Sequence, residues 1–166
     1  QKNLGPAGLT VVIIREDLIG HFSKNSPTML NYETYATSAS LYNTPPTFSI
    51  YVTKLVLEWL QAFGGVGEME KRNREKAALL YNFLDESSLF HNDINPESRS
   101  LMNIPFTTTS KELNHQFIKY ASVNGLVTLE GHRSVGGMRA SIYNAMPLEG
   151  VQKLVECMKQ FETNHK

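Results

Sequence analysis

Leu9-Thr10-Val11-Val12-Ile13-Ile14 places β-favouring, mostly apolar residues in unbroken succession. A run of this kind predicts a strand over Leu9–Ile14 that is buried on both faces. Such a strand needs neighbours in a sheet and a covering layer above and below it. Nothing else before residue 87 reads as a strand. Gly20–Leu41 carries scattered Ser, Asn, Thr and Pro without a sustained period and reads as loop. Pro45 and Pro46 suit the first turn of a helix, and Phe48, Val52, Leu55 and Trp59 follow as an amphipathic stripe closed by Gly64 and Gly65. A second helix is predicted over Val66–Leu84, with Val66, Met69, Ala77, Leu80 and Leu84 on its apolar face. Glu68, Glu70, Lys71, Arg72, Arg74, Glu75 and Lys76 are assigned to its solvated side. One strand and two helices are too few to cover a sheet, so residues 1–86 read as the remainder of a larger α/β domain.

From Ser87 onward the pattern changes. Short strands are predicted at Leu89–His91, Leu101–Phe106, Val127–Leu129 and Met138–Tyr143. Ser110 is placed as the N-cap of a helix bearing Leu113, Phe117 and Ala121, ended by Gly125. A last helix over Leu148–Glu162 aligns Val151, Leu154, Val155, Met158 and Phe161. Strand–strand–helix–strand–strand–helix describes a small α+β domain over residues 87–166, with helices on one side of its sheet.

Sixteen basic and sixteen acidic residues give no net charge, and neither a nucleic acid nor a membrane surface is suggested as a partner. No apolar run approaches the roughly 20 residues that span a bilayer. The single cysteine, Cys157, excludes an internal disulfide and fits a reducing, cytoplasmic setting. It lies between Val155 and Met158 on the last helix and reads as core filler. His21, His91, His115 and His165 are isolated surface residues on this reading, and no grouping has metal-ligand spacing.

Three segments can carry chemistry. In Gln1-Lys2-Asn3-Leu4-Gly5-Pro6-Ala7-Gly8, small residues let the backbone pass close to a bulky ligand, and the strand behind them would hold the loop rigid. Lys2 is then either a solvated lysine or a desolvated amine able to form a Schiff base. In Tyr42-Asn43-Thr44-Pro45-Pro46-Thr47, Asn43 and Thr44 are either helix caps or anion-facing groups at a helix start. In Gly131–Asn144, His132, Arg133 and Arg139 fall within eight residues around the pair Gly136-Gly137. Strand alternation sets Arg139, Ser141 and Tyr143 opposite the apolar Met138, Ala140 and Ile142. The cluster suits carboxylate or phosphate recognition, the alternative being a solvated face and an ordinary loop.

Taken in order, QKNLGPAG, YNTPPTF and GHRSVGGMRASIYNAMPLEGV resemble the phosphoserine aminotransferase family over essentially the whole chain. That resemblance implies a homodimeric, fold-type-I pyridoxal-phosphate enzyme of serine biosynthesis. It would exchange an amino group between phosphoserine and 2-oxoglutarate, giving 3-phosphohydroxypyruvate and glutamate. By the same resemblance Lys2 holds pyridoxal 5'-phosphate and moves the substrate's α-proton, and Gln1 contacts the cofactor phosphate. Asn43 and Thr44 reach the cofactor phosphate of the other subunit. Arg139 grips the substrate carboxylate, and His132 and Arg133 surround its distal anion. The carboxylate, stacked aromatic and further phosphate loop of the family precede the lysine. The chain is therefore expected to be the C-terminal portion of such an enzyme, to hold a partial site, and to be inactive by itself. Cysteine desulfurases share the fold but need a mobile cysteine, which helical Cys157 does not provide. A non-catalytic α+β anion-binding or interaction module is the competing class, and it would lack the visible absorption of a lysine-bound cofactor.

Overall fold

The computed structural model describes residues 1–165. The chain folds as two units, Gln1–Trp59 and Leu60–Lys166.

In the first unit Leu9–Ile14 forms no strand pairing with any of the described residues, and Ile13 is 96% exposed. The strand expected there is therefore absent. Extended backbone becomes sheet only when a neighbour takes up its N–H and C=O groups, and none is at hand. The predicted loop contains a 3-10 turn over Thr28–Leu30 and a short α-helix, α1 (Tyr32–Ala36), whose N-cap Asn31 accepts from the Glu33 N–H at 3.0 Å. Helix α2 spans Thr47–Ala62. Its predicted stripe is not the covered one: Phe48 is 75% exposed, whereas Ser49 and Thr53 are buried. The small hydroxyl face is covered because the N-terminal loop lies on it.

The second unit opens with the last residues of α2 and continues into α3 (Gly65–Glu86), preceded by Gly64 at φ 113°, a left-handed turn that glycine adopts without strain. Three short strands follow, β1 (Phe90–His91), β2 (Asn103–Thr108) and β3 (Met138–Ser141), in one antiparallel sheet of order β1-β2-β3. The strand expected at Val127–Leu129 does not form. Thr128 sits at φ 61°, which breaks extended geometry, and only an isolated bridge links Glu130 to Met138. Helix α4 (Lys111–Val123) starts at Ser110, whose Oγ accepts from the Leu113 N–H at 3.1 Å. Helix α5 (Leu148–Thr163) buries Val151, Leu154, Val155, Met158 and Phe161 as its spacing predicts.

Met138, Ala140 and Ile142 face the core, as do Ile104 and Phe106 of β2, and α3, α4 and α5 pack over them. Phe90, Phe106, Phe117 and Phe161 meet at its centre, Phe90 edge-on to Phe117 with centroids 4.8 Å apart. Cys157 belongs to this core, and burial raises its thiol pKa, so it is inert filler. Since α3 packs on α5, it belongs with the C-terminal unit; the division at 59/60 thus differs from the 86/87 boundary read in the sequence. Among the described residues no helix is long and apolar enough to cross a membrane.

Candidate active-site residues

The N-terminal loop is shaped by its glycines and by two hydroxyls of α2. Gly5 takes φ 142°, and a Cβ there would meet Thr53 Oγ1 at 3.0 Å. Gly8 takes φ 99° with Ser49 Oγ 3.2 Å from the Cβ position, and that hydroxyl donates to the Ala7 carbonyl at 3.1 Å. Only glycine fits both places, so the loop is seated directly on the helix backbone's small face. Lys2 itself has φ 79°, a conformation that non-glycine residues avoid, and the Gly5 N–H donates to its carbonyl at 3.2 Å. Strain held at one residue by its surroundings is a feature of working sites. Gln1 and Lys2 are exposed, as are Asn43 and Thr44 just ahead of α2. Asn43 Nδ2 donates to the Thr44 carbonyl at 3.2 Å rather than serving the helix as a cap. This unit therefore carries Gln1, Lys2, Asn43 and Thr44, with the lysine loop seated on the helix that Asn43 and Thr44 precede.

His132, Arg133 and Arg139 belong to the second unit. The Gly131 N–H donates to the Gly137 carbonyl at 2.9 Å, closing the neck of a small loop. A Cβ on Gly137 would lie 2.7 Å from Thr107 Cγ2, so the neck is pressed against β2. His132 and Arg133 project from this loop. The Ser134 N–H donates to His132 Nδ1 at 3.3 Å, and Ser134 Oγ lies 2.6 Å from the same nitrogen. Nδ1 is thus an acceptor, which leaves the neutral ring its proton on Nε2 as a donor to a ligand. A cavity of about 500 Å³ beside the loop is lined by His132 and Arg133 together with Lys111, His115 and Glu130. Cationic groups outnumber the carboxylate there, and the cavity suits an anion.

Arg139 lies outside that cavity, on the partly exposed sheet face with Ser141 and Tyr143, as alternation predicts. Its Nε is buried and has no hydrogen-bond partner among the described residues. A buried guanidinium donor left unmet marks a place for an acceptor such as a carboxylate. Among the candidate residues this unmet donor is the observation that points to an anionic ligand.

The surroundings of three further residues escaped the sequence reading. Lys111 and His115, one helical turn apart on α4, share the cavity, and only their i,i+4 spacing after the Ser110 cap hinted at it. Lys76, assigned to a solvated face, is completely buried. Its ammonium donates to the carbonyls of Ile142, Tyr143 and Met146 at 3.1, 2.8 and 3.0 Å. Desolvation, and then the neighbouring Arg72 charge, lower its pKa below the usual lysine value. The available signal was position: Met69, Asn73, Lys76 and Leu80 fall on one helical stripe, all buried.

The sequence profile of the family Aminotransferase class-V matches residues 1–154. The chain belongs to this family. Among its class-V relatives, phosphoserine aminotransferase of Bacillus cereus is 67% identical over all 166 residues, which make up 46% of that protein. A solved phosphoserine aminotransferase from Bacillus circulans subsp. alkalophilus superposes with TM-score 0.95 at 48% identity, covering 99% of this chain and 46% of that one. A pyridoxal-phosphate-bound phosphoserine aminotransferase from Trichomonas vaginalis gives TM-score 0.83 at 38% identity over 88% of this chain and 42% of that one. The chain thus spans about half the length of the class-V aminotransferases that it matches.

Proposed function

We propose that this chain forms the lysine-bearing part of a pyridoxal-phosphate-dependent phosphoserine aminotransferase, a cytoplasmic homodimer of serine biosynthesis. Likeness to phosphoserine aminotransferase along the full 166 residues is the observation that carries the reading. The buried, unmet Nε of Arg139 supports it from the side of the geometry. Pyridoxal phosphate, when bound, supplies an electron sink for the substrate's α-carbon.

Lys2 Nζ holds the cofactor and then takes and returns the α-proton of the substrate, with the glycine-built loop keeping the amine in place. Gln1 contacts the cofactor phosphate, and Asn43 and Thr44 reach the phosphate bound by the partner subunit. Arg139 holds the α-carboxylate common to phosphoserine and glutamate through its guanidinium fork. His132, donating from Nε2, and Arg133 hold the distal group, the phosphate of phosphoserine or the second carboxylate of glutamate and 2-oxoglutarate. Exposed apolar residues of the first unit, such as Val11, Ile13, Leu30 and Phe48, are surfaces covered in the assembled enzyme.

Borohydride reduction of the full-length holoenzyme followed by peptide mapping is expected to place the pyridoxyl group on Lys2. Label on any other lysine overturns the assignment.

A further inference from the structure

Lys76 brings a positive charge into the core without a carboxylate to meet it: none of the ion pairs among the described residues includes it. A buried ammonium is tolerated when all three of its N–H donors are satisfied. Here one short segment does so, through the carbonyls of Ile142, Tyr143 and Met146. One turn earlier on α3, Asn73 Nδ2 donates to Asn144 Oδ1 at 2.8 Å, inside the same segment.

That segment begins where β3 ends, and β3 carries Arg139. The strand has only four residues, and Arg139 stands opposite Pro105 of β2, a residue with no N–H to offer. The Arg139 N–H turns the other way and donates to the Leu129 carbonyl. Besides its four-residue pairing with β2, the strand is held at its exit. Ser141 Oγ and Tyr143 OH donate to Asn103 Oδ1 at 3.1 and 3.0 Å, while Lys76 takes the backbone carbonyls of residues 142, 143 and 146.

We propose that Lys76, assisted by Asn73, is a positioning residue for Arg139, clamping the exit of β3 so that the guanidinium meets the substrate's α-carboxylate. This rests on the reading of Arg139 as the carboxylate-binding residue. A two-pronged contact tolerates a shift of only about half an ångström. Three carbonyl acceptors fix the ammonium in one place, a directional constraint that a methionine of similar size would not supply.

The test is the dissociation constant of maleate, a non-reacting dicarboxylate, on the full-length pyridoxal-phosphate holoenzyme, compared among Lys76→Met, Arg139→Lys and the double variant. Lys76→Met is expected to weaken maleate about 10-fold. The double variant should bind no more weakly than the weaker single variant, because both changes spoil one contact. If the two losses simply multiply, or if Lys76→Met binds as the parent does while Arg139→Lys is weakened, the clamp is overturned. Unchanged affinity in Arg139→Lys removes the carboxylate role and the clamp together. Should Lys76→Met not accumulate as folded holoenzyme, Asn73→Ala is judged by the same criteria, with a loss of about 3-fold expected.

Discussion

Residues 1–59 and residues 60–166 use apolar side chains in opposite ways. In the first unit Val11, Val12, Ile13, Leu41 and Phe48 are exposed, and the buried positions are the hydroxyl residues Ser49 and Thr53. In the second, strand alternation and helical stripes converge on one core, with Phe90, Phe106, Phe117 and Phe161 in edge-to-face or tilted contact. Apolar content alone therefore does not make a core. A stripe is buried only when an opposing layer exists, and the second unit supplies its own while the described residues of the first do not. The lysine loop is held by hydroxyls and glycines, the arginine strand by packed aromatics and a buried ammonium. Chemistry-bearing segments thus sit on two different kinds of support.

Amide hydrogen exchange of the 166-residue chain can break this contrast outright. Backbone N–H groups of β2, α4 and α5 are expected to exchange on the order of 10³-fold more slowly than those of Leu9–Ile14. Equal rates would show that the first unit is as well supported as the second. In a chain as long as the relatives, Leu9–Ile14 should gain protection, as a strand does when its neighbours are present.

Phe117→Ala sharpens the comparison from the core. Phe117 is fully buried and touches Phe90, Phe106 and Phe161. Its truncation should cost about 3–5 kcal/mol in urea unfolding of the second unit's signal. A loss below about 1 kcal/mol would mean that the aromatic cluster is not the unit's centre of stability.

The smallest effect concerns Glu162 of α5, whose Oε1 accepts from Ser88 N, Ser88 Oγ and Leu89 N at 2.8, 2.8 and 3.1 Å. Burial pushes its pKa up, but the hydrogen bonds from Ser88, Ser87 and Leu89 outweigh this and hold it below the usual carboxylate value. A depressed folded-state pKa contributes stability above the unfolded-state pKa, and that contribution fades as the pH falls through the folded value. Glu162→Gln should therefore lower stability by about 1 kcal/mol at neutral pH. The gap to the parent should close on acidification below the ordinary glutamate range. A gap independent of pH would assign the effect to packing.

Much of the second unit was legible in the residues themselves. Ser110 as a cap, the stripes of α4 and α5, and the inward set Met138, Ala140 and Ile142 follow from local periodicity, because one face of each element meets the core. Local composition also singled out Lys2, Asn43, Thr44, His132, Arg133 and Arg139 as candidates, while Gln1 and every role came from the family resemblance of QKNLGPAG, YNTPPTF and GHRSVGGMRASIYNAMPLEGV. Tertiary structure alone decided the rest. Leu9–Ile14 carries every mark of a strand, yet pairing depends on a neighbour that its own sequence does not specify. Val127–Leu129 lost its ladder to a left-handed Thr128. Lys76 looked like one charge among many on α3. Its burial depends on where the carbonyls of Ile142, Tyr143 and Met146 lie, some seventy residues along the chain, and no local pattern encodes a contact at that separation.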